Sequence, residues 1–355
     1  MMEFPHFTQP NRKGKSVSII TVGIDLAKDV FAVHGVNAAG KAELVKPRVA
    51  RVQLLALMAS LPPCLIGMEA CSGAHHWARL FIQHGHTVRL MAPKFVAPYR
   101  LSGKRGKNDA ADAAAICEAV TRPNMRFVPI KDVSQQAMLC LHRTRQGFIT
   151  ERTAAYNRLR GLISEFGLVL PQKVERLRRE IVAHLELLPD WVQRCAHDLL
   201  ANADEMDKRV GEYDKAISQA AREDSRSRAL MQLRGIGPTS ASALLYSLGL
   251  GHDFQNGRQV AAWIGLVPGQ YSSGGKARLG RITKAGDEYL RMLLVMGARS
   301  VLASLGDKQD RYSRWCRELE ARVGYGKATV AIAAKNARLA WAVLKYGEDF
   351  RLKQA

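Results

Sequence analysis

The sequence is short of acid. Its 355 residues carry 53 lysines and arginines against 32 aspartates and glutamates, a formal charge of +21. A surplus of that size argues for a polyanionic partner, because neutralising phosphates releases counterions and supplies most sequence-independent affinity. Other shortages narrow the field. No uninterrupted apolar stretch approaches a bilayer span, and a membrane-surface protein would need an amphipathic basic helix or anchor, so no membrane partner is expected. The six cysteines, Cys64, Cys71, Cys117, Cys140, Cys195 and Cys316, include no CxxC pair. Structural zinc is therefore not expected, and most of the thiols sit among apolar neighbours, as in a reducing cytoplasm. His75-His76 and His84-x-His86 lack the spacing of a helical or finger-type metal site and read as helix-surface or phosphate-contacting residues. Walker loop, Rossmann fingerprint and hydrolase elbow are all missing. The N-terminal MMEFPHFTQPNRKGKS has charge but no apolar centre, so residues 1–16 read as a loose extension rather than a signal or anchor.

What is present is enough to fold. With 47% hydrophobic residues the chain can bury substantial cores and should divide into two or three domains. Residues 1–130 carry +9, residues 131–230 only +2, and residues 231–355 carry +10. Two nucleic-acid-facing domains joined by a segment whose charges answer one another is the implied plan. Its boundaries are 17–130, 131–229 and 230–350.

The first of these reads as mixed α/β. VSIITVGID, FAVHGVN and KAELVKPRV are three strands with connections short enough to pair antiparallel. RVQLLALMASL then has helical spacing, CLIGME reads as a strand, residues 74–84 as a helix, TVRLMA as a strand, and PKFVAPYRL as a helix interrupted by Pro98. The basic loop SGKRGKN, with Lys104, Arg105 and Lys107 as nucleic-acid contacts, precedes a helix beginning near Asp109. The order βββαβαβα matches a ribonuclease-H-like fold. From Ser134 to Ala229 the pattern is helical, broken at Gly167 to Pro171 and at Pro189. Val192, Ala196, Leu199, Ala203, Met206, Val210, Tyr213, Ile217 and Ala220 alternate steps of four and three. That is the seam of a coiled coil, or of an intramolecular helix hairpin. Beyond Leu230 glycine turns and short helices indicate a mostly helical third domain. Trp191, Trp263, Trp315 and Trp341 fit helix cores.

Four carboxylates stand out against the basic background. Asp25 in VGIDLAK and Glu69 in LIGMEAC each end an apolar run, so their side chains emerge at strand tips, where open α/β sheets bind ligands. Asp109 and Asp112 in KNDAADA lie three apart, on one face of a helix. Converging acids in a positive protein suit two Mg²⁺ ions, or Mn²⁺, acting on a phosphodiester. The plainer alternatives are a strand-end turn for Asp25 and helix capping for Asp109 and Asp112, which favours the macrodipole by ~0.3 to 1 kcal/mol. In LRGIGPTSASALL, Gly235 and Gly237 can turn the backbone and present amides to a phosphate at the next helix start, as in a helix-hairpin-helix, or can form an ordinary interhelical turn. Tyr271-Ser272-Ser273-Gly274-Gly275 is followed by Lys276, Arg278, Arg281 and Lys284. A serine among glycines and cations can approach a phosphate as nucleophile, or the segment is a hairpin turn with phosphate-binding flanks.

These motifs in this order, GIDLAK, MEACSG, KNDAADA, LRGIGPTSA, GLVPGQYSSGG and TKAGDEYLR, resemble the DEDD (RuvC-like) transposases of bacterial insertion sequences over about residues 17–350. The segment EACSG departs from the commoner Glu-Ala-Thr-Gly form but keeps its acid. The resemblance implies a recombinase acting on donor and target double-stranded DNA, directed by a structured guide RNA. It further implies Asp25, Glu69, Asp109 and Asp112 as metal ligands and Ser273, or its neighbour Ser272, as a nucleophile forming a transient phosphoserine. A homo-oligomer, dimer or tetramer, in the bacterial cytoplasm belongs to the same picture. A metal-dependent Holliday-junction-type endonuclease using water, and a non-catalytic nucleic-acid scaffold, are the competing readings.

Overall fold

A computed structural model describes residues 18–100, 109–276 and 278–347. The chain divides into two compact units, the first ending at Asp132 and the second beginning at Val133.

In the first unit β1 (Thr21–Asp25), β2 (Val30–Val36) and β3 (Ala42–Ala50) run antiparallel in sequence. α1 (Arg51–Ala59), β4 (Leu65–Glu69), α2 (Ala74–Gln83) and β5 (Thr87–Met91) follow. Next come the one-turn α3 (Pro93–Val96), a 3₁₀ turn at Ala97–Tyr99, α4 (Asp109–Ala119) and the two-residue β6 (Phe127–Val128). The sheet order is β3-β2-β1-β4-β5-β6, with β1, β4 and β5 parallel and β6 antiparallel to β5. This mixed sheet is consistent with the ribonuclease-H-like expectation. The short β6 closes an edge that the sequence pattern leaves open.

Helices cover both faces of the central strands, so β1 and β4 read as near-continuous apolar runs rather than alternations. β3 lies at the other edge and is largely exposed. Pro47, which cannot donate to a ladder, falls where its register to β2 shifts between Phe31 and Val33. α2 buries Ala74, Trp77, Ala78 and Phe81 along one helical stripe, and Trp77 packs edge-on to Phe31 and stacks on Phe81. His86 is part of this core: its ring reaches Cys64 Sγ at 3.4 Å and Met58 O at 3.0 Å. Its two ring nitrogens satisfy backbone and thiol groups, which makes it neither a surface nor a phosphate residue. Of the six free cysteines, Cys64, Cys117 and Cys316 are buried and Cys71, Cys140 and Cys195 exposed, so the apolar setting holds for three of them.

The second unit is mostly helical. α5 (Val133–Ser164), α6 (Val174–His184), α7 (Asp190–Glu223) and α8 (Ser225–Met231) lead to α9 (Pro238–Leu248) and α10 (Gly257–Ile264). A hairpin of β7 (Pro268–Gln270) and β8 (Leu279–Ile282) precedes α11 (Glu288–Ala303), α12 (Arg311–Val323) and α13 (Tyr325–Tyr346). The α7 seam is real and is filled by α5 of the same chain. Ala196, Ala203, Val210 and Ile217 are buried, and Ala155, Tyr156, Leu159 and Ile163 of α5 share a core with Ala196 and Ala203. Arg145 pairs with Asp214 and Arg152 with Asp207, so residue numbers rise on one helix as they fall on the other: the pair is antiparallel. The hairpin alternative, not a seam awaiting a second chain, describes these residues. Trp191 corrects the aromatic-core expectation, being 75% exposed at the start of α7, whereas Trp341 is buried on α13 and Trp263 and Trp315 pack partly buried against the same core. Among the described residues no helix is long and apolar enough to cross a membrane.

Candidate active site

Asp25 and Glu69 are the last residues of β1 and β4, which run parallel with Gly23 opposite Gly67 and Ile24 opposite Met68. Two residues beyond the glycines, the two acids therefore sit side by side at the carboxyl ends of the central strands, on the glycine face. That face carries α4. A Cβ on Gly23 would stand 2.2 Å from the Ala113 carbonyl oxygen, and one on Gly67 2.8 Å from Val120 Cβ. The paired glycines thus form a flat seat that lets the helix lie directly on the strands. Its first turn brings Asp109 and Asp112 to the same end.

The electrostatics agree with convergence. The Asp25 carboxyl is pushed up to about 6, first by burial and then by Asp112, Glu69 and Asp109, with Arg100 acting in the opposite sense. Arg100, just after the 3₁₀ turn, lies between two of the acids: its Nη2 donates to Glu69 Oε1 at 3.0 Å and its Nε is 3.0 Å from Asp112 Oδ1. Those carboxylates are only 12% and 10% exposed. The donor set fits a divalent metal in kind, being hard carboxylate oxygens that repel one another without a cation. As the side chains stand, with a guanidinium between two of them, no three acids, histidines or cysteines among the described residues converge closely enough to hold an ion. The histidine pairs serve elsewhere: His75 Nδ1 accepts from Lys131 N at 3.2 Å, and His76 packs edge-on against Trp77.

In the second unit the YSSGGK segment is the tip of the β7–β8 hairpin. Gly274 and Gly275 take positive φ, and Lys276 N donates to Ser273 O at 3.1 Å. The two serines differ. Ser272 Oγ accepts from Arg278 N at 3.2 Å and from Gln270 Nε2 at 2.8 Å, which ties it into the hairpin. Ser273 is exposed at the tip, and its hydroxyl has no hydrogen-bond partner among the described residues. Lys276 and Arg278 flank it, Arg281 lies further along β8, and Lys284 sits at the base of the hairpin, its N donating to Gly265 O at 3.2 Å; all four are exposed, and no carboxylate pairs any of them among the described residues. The GIG segment splits likewise. Gly235, at φ +82°, is pressed against α11, where a Cβ would meet Gly297 O at 2.6 Å; Gly237 caps α9 with open space beside it. Packing explains the first glycine, and only the second faces outward. Lys104, Arg105 and Lys107 lie outside the described residues.

Sequence reasoning missed Gly23, Gly67 and Arg100. The glycines had a signal, since VGID and IGME place glycine at the same distance before each acid. Arg100 had none, being a lone arginine at the end of an irregular turn.

A mixed sheet with acids at the tips of its central strands, and further acids in the first turn of the helix seated above them, is the arrangement of a ribonuclease-H-like enzyme of the DEDD kind. Comparison with known proteins carries this further. Residues 22–167 match a model of DEDD transposases of the IS110 type, and residues 227–314 match the Transposase IS116/IS110/IS902 family. A probable family 20 transposase of Pseudomonas aeruginosa is 44% identical, covering 94% of this chain and 99% of its own length. The transposase for insertion sequence element IS1111A of Coxiella burnetii is 38% identical over 97% of this chain and 94% of its own. That for IS1328 of Yersinia enterocolitica is 36% identical over 94% and 99%. The chain belongs to the IS110/IS116 family of insertion-sequence transposases, enzymes that cleave and transfer DNA. The DEDD domain points to dependence on a divalent metal.

Proposed function

We propose that this transposase cuts and rejoins donor and target DNA through a transient phosphoserine on Ser273, with Asp25, Glu69, Asp109 and Asp112 as ligands of divalent metal. The observation that carries the reading is the adjacency of Asp25 and Glu69 at paired strand ends, with an Asp25 carboxyl raised by burial and then by the acids around it. Two Mg²⁺ ions, or Mn²⁺, would supply Lewis-acid stabilisation of the attacking and leaving oxygens. The chain's own residues do the rest. Ser273 Oγ forms a bond to phosphorus as a sugar oxygen leaves; the proton the serine loses is matched by the one the departing hydroxyl takes up. Attack by a second sugar hydroxyl reverses the step and reseals the strand.

The free hydroxyl of Ser273 beside the bonded one of Ser272 favours Ser273 as the nucleophile. Lys276, Arg278, Arg281 and Lys284 hold backbone phosphates along the hairpin, and the outward amide of Gly237 at the start of α9 adds a sequence-independent contact. Lys104, Arg105 and Lys107 contact nucleic acid likewise. A structured guide RNA directs the choice of DNA, and the enzyme works as a homo-oligomer, dimer or tetramer, so that donor and target are handled together. The division of labour is a metal-binding domain over 17–130, a helical segment over 131–229 and a serine-bearing domain over 230–350.

The test is chemical. Protein, Mg²⁺, guide RNA and a suicide DNA substrate are mixed and the protein is digested and analysed for a serine-linked nucleotide. The adduct should form on Ser273 and vanish in Ser273→Ala with Ser272 intact. Persistence in that variant sinks the nucleophile assignment; cleavage with no adduct under any condition indicates a water-using nuclease instead.

A further inference from the structure

The acids are not alone at the strand ends. Arg100 bridges Glu69 of β4 and Asp112 of α4, two acids brought together from different elements, with 3.0 Å to one oxygen of each. A guanidinium there performs the electrostatic task of a cation, neutralising carboxylates that the fold forces together. It performs that task incompletely. Its Nε, though close to Asp112 Oδ1, makes no directed hydrogen bond among the described residues. The side chain is also 39% exposed, so an outward path exists.

A divalent ion of this class takes carboxylate oxygens at about 2.0 to 2.1 Å. Glu69 Oε1 and Asp112 Oδ1 cannot offer such a bond in the direction they now offer the guanidinium. We propose that Arg100 is a displaceable internal cation: it holds Glu69 and Asp112 in place before metal arrives, competes with the metal for them, and swings out when it binds. This rests on the metal reading of the four acids. It makes Arg100 a positioning residue whose removal loosens the metal-free site yet tightens metal binding. That combination separates it from a merely structural ion pair, whose loss would weaken both.

Mn²⁺ binding to the full-length protein, followed by the loss of the free-ion electron paramagnetic resonance signal, tests this without reference to activity. Arg100→Gln should bind Mn²⁺ about five- to tenfold more tightly than wild type, the size expected for removing the two partly exposed ion pairs, to Glu69 and Asp112, that compete with it. In EDTA the same variant should melt at a lower temperature, and saturating Mn²⁺ should raise its melting point by more than it raises wild type's. Arg100→Lys, which keeps the charge, should stay within about twofold of wild type in affinity. Equal or weaker Mn²⁺ binding by a folded Arg100→Gln overturns the proposal while leaving the metal reading intact, as does equal tightening in Arg100→Lys. Binding in neither wild type nor Arg100→Gln overturns both.

Discussion

The two units treat buried charge in opposite ways. In the first, four acids share the carboxyl end of a sheet with Arg100, and one of them, Asp25, is raised to about 6 by burial and by its neighbours. In the second, most polar groups that leave water find partners, Gln146 Oε1 and Ser227 Oγ being exceptions. His142, on α5, is 1% exposed, yet its Nε2 meets Ser242 Oγ of α9 at 2.9 Å and its Nδ1 meets Tyr289 of α11 at 3.1 Å. Arg145 forks onto Asp214, and Arg234 reaches both Ser313 and Asp310 at the cap of α12. Satisfied networks fix helices against one another; an unsatisfied cluster of like charges costs stability and persists where a ligand is meant to relieve it. Both units nevertheless use one device for close packing. Gly23 and Gly67 seat α4, and Gly235 and Gly297 seat α11 against the turn before α9.

The sharpest way to separate the two treatments is to remove one acid. Asp109→Asn should lower strand cleavage by about 1000-fold or more while DNA and RNA affinities, read by filter binding, stay within a few-fold. Survival of cleavage near the wild-type rate would return Asp109 to a helix-capping role. Next in size is the helix seat. Gly23→Ala drives a methyl into backbone that cannot move aside and should cost about 3 kcal/mol or more in denaturant unfolding, whereas Gly237→Ala, facing open space, should cost under about 1 kcal/mol. Comparable losses at both would show that the α4 seat is less tight than its 2.2 Å approach implies.

Two pH dependences of opposite sign follow. Burial, with Arg145 nearby, lowers His142 from 6.5 to about 4, so only the unfolded chain takes up the proton between those values. Stability of the helical unit should fall as pH drops through that window, by on the order of 2 kcal/mol, and His142→Gln should flatten the slope. Asp25 runs the other way. With its carboxyl raised from 3.8 to about 6, the folded state binds the proton more tightly, so stability in EDTA falls as pH rises from about 4 through 6 and stays low above it. Because Asp25 is only partly buried, the effect should be only about 1 kcal/mol, seen as a higher melting point for Asp25→Asn at pH 7.5. An Asp25→Asn variant that melts at or below wild type at pH 7.5 in EDTA would contradict the charge crowding.

Much of this was legible in the chain. The central strands announce themselves as apolar runs ending in acid, and the spacing of Asp109 and Asp112 places both on one helical face before any coordinates are known. The α7 seam is equally plain, since its steps of four and three are a local property of the helix. What fills the seam is not local. Nothing in Val192 to Ala220 says whether the partner stripe belongs to α5 or to a second molecule, and only the pairing of Arg145 with Asp214 and Arg152 with Asp207 answers it. β6 is two residues long, too short for a period to show. Trp191 was misread because an aromatic at helical spacing looks alike on the inner and outer faces when the flanking residues are mixed.

By itself the sequence determined the basic charge, the acids and the order of elements, because composition and short-range periodicity are carried by neighbours along the chain. Tertiary structure alone decided that Gly23 lies against Gly67, that α4 rests on both, and that Arg100 stands between Glu69 and Asp112. Those are contacts between residues from 12 to nearly 100 positions apart, fixed by strand register and by how closely two backbones can approach. The physical reason is reach. A propensity or a periodic pattern acts over a few residues, whereas a site of converging like charges exists only once the whole sheet has closed and its packing outweighs their repulsion.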